Sequence, residues 1–162
     1  MNGLYDEFLK IAGKITESFG VTPLLYGSLG LQRRLQIDLC PGDVDILLPS
    51  AMLDEHWPDL VAWMRHESYA LQDAHEHSFV QGRAHIAFAS NDLGGYAGIE
   101  PGCIPMVEDL GVCYLLPTLR QYLAIYEKSL TDSYRREKNN GKDADKIELI
   151  RRALAKCGQN ME

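Results

Sequence analysis

"LLYGSLGLQRRLQIDLCPGDVDILLP", Leu24 to Pro49, decides the fold. It opens as an apolar run, Leu24 to Tyr26, that stops at Gly27-Ser28. It closes as a second apolar run, Val44 to Leu48, entered through two carboxylates one residue apart, Asp43 and Asp45. Side chains alternate along a strand, so Asp43 and Asp45 face the same way while Val44 and Ile46 face the core. Two like charges at that spacing repel, which costs stability unless a cation sits between them. Gly27-Ser28 ends the first strand and precedes a short helix over Leu29 to Leu35. Such a junction offers backbone N–H groups, a hydroxyl and a helix N-terminus to an anion.

Hard divalent cations take oxygen ligands, commonly one or two carboxylates plus substrate phosphates. A phosphate cradle beside a site for Mg2+ or Mn2+ implies nucleotide chemistry. Taken singly, Gly27-Ser28 reads equally well as a turn, and Asp43-x-Asp45 as a polar strand mouth. Their order, their spacing and the flanking strands favour reading them together.

The rest of the chain frames that pair. Its 162 residues suit one domain, with 46% hydrophobic and 24% charged residues in an ordinary globular balance. No apolar run approaches the roughly 20 residues that cross a bilayer, and the early acids of MNGLYDEFLK suggest a cytoplasmic protein. Cys40, Cys103, Cys113 and Cys157 are scattered, without a CxxC pair, and read as reduced thiols. The net charge of −7 argues against a broad nucleic-acid surface. A small anion held at a local site remains compatible with it.

Periodicity orders the elements. Leu4, Phe8, Ile11, Ile15 and Phe19 recur at helical spacing, and Gly20 stands where that helix should end. Pro23 to Tyr26 and Val44 to Leu48 are expected strands, and Leu53 to Arg65 one helix with Trp57, Leu60, Val61 and Met64 inward. Five strands are expected next: Tyr69 to Asp73, Glu76 to Val80, Ala84 to Ala89, Ile104 to Val107 and Val112 to Leu116, with a tight turn at Gln81-Gly82. Leu119 to Leu130 and Ile147 to Leu154 mark two last helices. The expected architecture is α+β, a mixed sheet flanked by helices. A single domain over 1–162 would divide into an α/β core (1–117) and a C-terminal helical hairpin (118–157).

The quoted stretch resembles the signature of the nucleotidyltransferase superfamily, the DNA polymerase β-like fold. Its pattern is an apolar strand, Gly-Ser or Gly-Gly, a short helix, then an acid–apolar–acid–apolar strand. Gly27, Ser28, Asp43, Val44, Asp45 and Ile46 carry the match, with fourteen residues, Leu29 to Gly42, between Ser28 and Asp43. The tail "REKNNGKDADKIELIRRAL", Arg136 to Leu154, looks like the Lys-Asp-x-x-Asp-Ile segment of many small members. The resemblance implies transfer of a nucleoside monophosphate from an NTP to a small-molecule or protein hydroxyl, with Mg2+ (or Mn2+). Ser28 would hold the β/γ-phosphates, Asp43 and Asp45 the metal, and Lys138 or Lys142 would reach the nucleotide.

One departure from the pattern bears on catalysis. The family's third carboxylate sits on a later strand beside the first two, and "GRAHIAFAS", Gly82 to Ser90, has no acid on the corresponding face. His85 is the nearest stand-in, and Glu76 is a second candidate ligand. Two-metal phosphoryl transfer needs enough charge to hold both ions. A catalytically degenerate nucleotide- or metal-binding module is therefore the alternative to an enzyme. His75, His77 and His85 could instead form a histidine metal site, or simply a polar strand face. Arg33-Arg34 could contact a triphosphate or lie on a solvated helix face. Trp57, Trp63, Tyr122 and Tyr126 read as core, and Asp143 or Asp145 as a helix cap.

Overall fold

The computed structural model describes residues 3–93, 97–131 and 142–160. Lys138 lies outside them, as does the Arg136–Gly141 part of the tail segment. Seven strands form one mixed sheet among the described residues: β1 (Leu24–Tyr26), β2 (Val44–Leu48), β3 (Ala70–Asp73), β4 (Ser78–Gln81), β5 (Ala84–Ser90), β6 (Met106–Asp109) and β7 (Val112–Leu115). Their order is β3-β4-β5-β2-β1-β7-β6. β2 lies antiparallel to β1 and parallel to β5, while β1 is parallel to β7. The helices are α1 (Gly3–Phe19), α2 (Gly27–Leu35), α3 (Ser50–Asp54), α4 (Trp57–His66), α5 (Leu119–Thr131) and α6 (Lys142–Asn160). The expected α+β architecture with its final helix pair is thus present.

Each sheet face has its own work. Val44, Ile46, Leu48, Ile86, Phe88 and Phe79 are buried in the core. Phe79 meets the rings of Trp57 and Phe88 at 5.7 and 5.9 Å. α1 buries Phe8, Ile11, Ala12 and Ile15, and Phe8 meets Tyr114 edge-on at 4.9 Å. Each large side chain so buried contributes about 1.5–3 kcal/mol. The other face of the central strands carries Asp45 and Ala87, and it stays open as the floor of a cleft.

Several boundaries differ from the periodic reading. The helix expected over Leu53 to Arg65 is two helices, because Pro58 has no N–H for the Asp54 carbonyl and its ring would clash there. α2 starts at Gly27, so the glycine and serine form its first turn. His75, Glu76 and His77 sit in a turn and not on a strand. The Asp73 carboxylate accepts N–H bonds from His75 and Glu76 at 2.9 and 3.3 Å and closes that turn. The β4–β5 turn is Gly82-Arg83, one residue later than expected, with Gly82 at φ +59°.

Polar ties fix the helices. Thr118 and Gln121 cap α5 reciprocally: the Gln121 side chain accepts from the Thr118 N–H at 2.9 Å, and Thr118 Oγ1 accepts from the Gln121 N–H at 3.1 Å. Lys14 donates to Glu67 at 2.8 Å, and this bond holds the Glu67 carboxyl below its ordinary value near 4.5. A carboxyl depressed in the folded state adds stability that is present above its unfolded value and lost as pH falls through the folded one. Lys14→Met is therefore expected to lower the melting temperature by about 1–2 °C at pH 7. That difference should fade as melts are repeated below pH 4.5. A difference constant from pH 7 to pH 3 would mean that the pair contributes no charge-dependent stability.

Candidate active-site cleft

The register fixes what faces what. Asp45 pairs with Tyr26 on one side and Ala87 on the other, and Ala87 pairs with Ser78. Tyr26, Asp45, Ala87 and Ser78 thus form a row across four strands, and all four line a cleft of about 760 Å³. Extending the β2–β5 register by one residue sets His85 beside Asp43. Both also line the cleft, as do Gly27, Ser28 and, from the turn, His75, Glu76 and His77. The second wall is helical, with Ile125, Tyr126 and Ser129 of α5 and Asp143 and Lys146 of α6. Asp43 is exposed, Asp45 half-buried and Asp143 buried.

Gly27 joins the two motifs physically. Its φ is +68°, a region L side chains rarely adopt, and a Cβ there would strike the Asp45 carboxylate, with Cγ at 3.1 Å and Cβ at 3.2 Å. The glycine is what lets the Asp45 carboxylate lie against the first turn of α2. At the N-cap of that helix stands Tyr26, which makes no side-chain capping bond to it.

The side chains behind the glycine-serine turn are buried. The Tyr122 hydroxyl donates to the Leu25 carbonyl at 3.0 Å, passing directly over Gly30. Burial pushes that hydroxyl well above its ordinary value of 10.0, so it stays a donor. Arg34 donates to the carbonyls of Leu116 and Pro117, both at 2.8 Å, and ties α2 to the start of α5.

Among the described residues no three or more His, Cys, Asp or Glu side chains gather closely enough to hold a metal. Asp43 and Asp45 are a two-carboxylate set. The residue beside Asp45 on β5 is Ala87, which brings no carboxylate to the row. Two protein carboxylates suit a cation that fills its remaining positions with phosphate oxygens and water.

No protein-family model matches the chain. It is 39% identical over 152 residues to the uncharacterized protein YnaI of Bacillus subtilis (strain 168), a match spanning 93% of this chain and 97% of that protein. The chain belongs to the YnaI family. Among solved structures, this member of the YnaI family is similar to the antibiotic-resistance factor ANT(2'')-Ia. The TM-score is 0.53 at 12% identity, covering 99% of this chain and 96% of that one. At that identity the likeness is one of fold: the chain has a nucleotidyltransferase-like fold.

Two expected site residues of this YnaI-family chain stand elsewhere. Arg33 lies five residues beyond Ser28, which at 100° per residue turns it away from the cleft. Its guanidinium sits 4.0 Å from the centroid of the Tyr5 ring and 3.6 Å from Asp109. Lys142 is exposed, and the α6 side chains that line the cleft are Asp143 and Lys146. The buried positions Asp143, Ile147 and Ile150 recur at helical spacing, and Lys146 shares their side of the helix. That spacing was available in the sequence and singles out Lys146 over Lys142.

A second hollow of about 780 Å³ lies by Glu7, Asp38, Cys40 and Arg83. It has neither the glycine turn nor a carboxylate pair on one strand face.

Proposed function

We propose that the cleft binds a nucleoside triphosphate and transfers its nucleoside monophosphate to a hydroxyl of a small-molecule or protein acceptor. What carries this reading is one contact: the Asp45 carboxylate lies against Gly27, so the glycine-serine turn and the carboxylate pair share one corner of the cleft. The nucleotidyltransferase-like fold supports it. The first turn of α2 and the Ser28 hydroxyl bind phosphate oxygens, with N–H groups at the positive end of the helix. Asp43 and Asp45 are the residues that would hold Mg2+ or Mn2+, which would supply positive charge beside the phosphates.

The step itself is a displacement at the α-phosphorus. The acceptor oxygen forms a bond to that phosphorus, and the bond from it to the β-bridging oxygen breaks. Pyrophosphate leaves with the electron pair, and the hydroxyl proton passes to the imidazole of His85, the cleft residue beside Asp43.

A second reading, a nucleotide-binding module without catalysis, is favoured by Ala87 beside Asp45. Under it, nucleotide and metal bind but no label moves from an α-labelled NTP to any acceptor.

Metal-dependent melting tests what both readings share. Mg2+ or Mn2+ is expected to raise the wild-type melting temperature, since a ligand that binds only the folded state stabilises it. Asp45→Asn should abolish the rise and stabilise the metal-free protein by removing one of two like charges. An equal metal response in Asp45→Asn would exclude the pair as the cation site.

A further inference from the structure

The charge lining the cleft is lopsided. Among the described lining residues Asp43, Asp45, Glu76 and Asp143 are acids, and Lys146 is the one lysine or arginine. A nucleoside triphosphate entering this cleft meets a wall of its own sign. A divalent cation on Asp43 and Asp45 would offset the two carboxylates that bind it, and Glu76 and Asp143 would still oppose the outer phosphates. Some fixed cation must meet them, and the lining supplies one.

Lys146 is also placed firmly. It is half-buried, with its ammonium 5.2 Å from the centroid of the Tyr126 ring. Tyr126 stacks on Tyr122 with centroids 6.1 Å apart and planes 18° from parallel. The Tyr122 hydroxyl reaches the Leu25 carbonyl, two residues before Gly27. Two stacked rings and one hydrogen bond thus lead from the ammonium to Leu25 of β1, the strand that ends at the glycine-serine turn. The sequence marks the position too. In "KDADKI" the residue before the isoleucine, where the Lys-Asp-x-x-Asp-Ile pattern has its second acid, is Lys146. The charge is reversed at the one place on α6 that, beside Asp143, faces the cleft.

We propose that Lys146 makes the cleft select triphosphates over monophosphates, by pairing with the phosphates farthest from the nucleoside. During transfer it faces the departing pyrophosphate, which takes the electron pair of the broken phosphorus–oxygen bond. This inference rests on the nucleotide reading of the same cleft. It differs from that reading in naming a single side chain and a single part of the ligand.

Calorimetric titration of the full chain with ATP, GTP, AMP, GMP and inorganic pyrophosphate, each with Mg2+, tests it. Lys146→Met is expected to weaken triphosphate and pyrophosphate binding about tenfold or more, the scale of a lost charge-assisted bond. Monophosphate affinity should be unchanged, and Lys146→Arg should keep most of the triphosphate affinity. Tyr126→Leu, which removes the ring under the ammonium, should give a smaller loss with the same ligand pattern. If Lys146→Met does not fold, Lys146→Gln keeps the stem length and is held to the same comparison. Equal triphosphate affinity in wild type and variant would overturn the proposal while leaving the nucleotide reading intact. A loss shared equally by mono- and triphosphates would overturn it as well, since that pattern reports a damaged cleft. A wild type that binds no triphosphate would remove the nucleotide reading itself, and this inference with it.

Discussion

Gly27→Ala is expected to lower the melting temperature by about 6–12 °C and to abolish triphosphate binding. Two costs add at this position. The first is backbone: at φ +68° a Cβ costs on the order of 1–2 kcal/mol. The second is specific to the site, because the new methyl must displace the Asp45 carboxylate that packs on the glycine. Gly20 provides the control. It has nearly the same φ, +69°, but nothing within 4 Å of its Cβ position. Gly20→Ala should therefore show the backbone cost alone, about 2–8 °C in the melt. The excess loss in Gly27→Ala measures the contact with Asp45. Equal losses in the two variants would mean that Asp45 does not pack against the turn in solution.

Gly30→Ala should cost about as much, for a different reason. Alanine in a helix interior is intrinsically better than glycine by roughly 1 kcal/mol, so propensity alone predicts stabilisation. Here a Cβ would meet the Tyr122 hydroxyl and lie 2.8 Å from the Leu25 carbonyl oxygen. That oxygen belongs to the backbone of a buried strand and cannot yield. A net loss of about 3 kcal/mol is expected, in the range of overpacked cores. Tyr122→Phe alone should cost about 1 kcal/mol for the lost bond to Leu25. In the double variant the hydroxyl is absent, so its loss should be smaller than the sum of the two single losses. Strict additivity, measured by chemical denaturation, would show that the tyrosine hydroxyl does not occupy the space over Gly30.

What could be read from the chain followed the range of the physics involved. α1 and β2 came out at or within a residue of their ends, because their signals are local: a helical period closed by Gly20, and an apolar run after two acids. The neighbourhood of Gly27 and Asp45 could be argued from strand order, but the reason for the glycine could not. Its obstacle is a side chain eighteen residues later that arrives there through β1–β2 pairing. The place of Arg33 was out of reach on the same ground, since Tyr5 and Asp109 meet it from α1 and β6.

Other misses were legible. Pro58 announced the break between α3 and α4. Asp73 two residues before His75 is a turn-forming arrangement that outweighed the apparent alternation in "EHSFV". Thr118-x-x-Gln121 spells the capping box at the start of α5. The Asp143–Ile147–Ile150 spacing would have set Lys146 on the inner side of α6, whereas attention to a motif favoured Lys142.

Triphosphate binding in the cleft is the central claim, and one titration addresses it most directly. ATP, GTP, CTP and UTP are each titrated into wild type and Asp45→Asn, with and without Mn2+. The expected result is that at least one triphosphate binds the wild type only when Mn2+ is present, and that Asp45→Asn removes this binding while its metal-free melt shows an intact fold. Binding that is indifferent to Mn2+ and to Asp45→Asn, or no binding of any of the four to wild type, would contradict it.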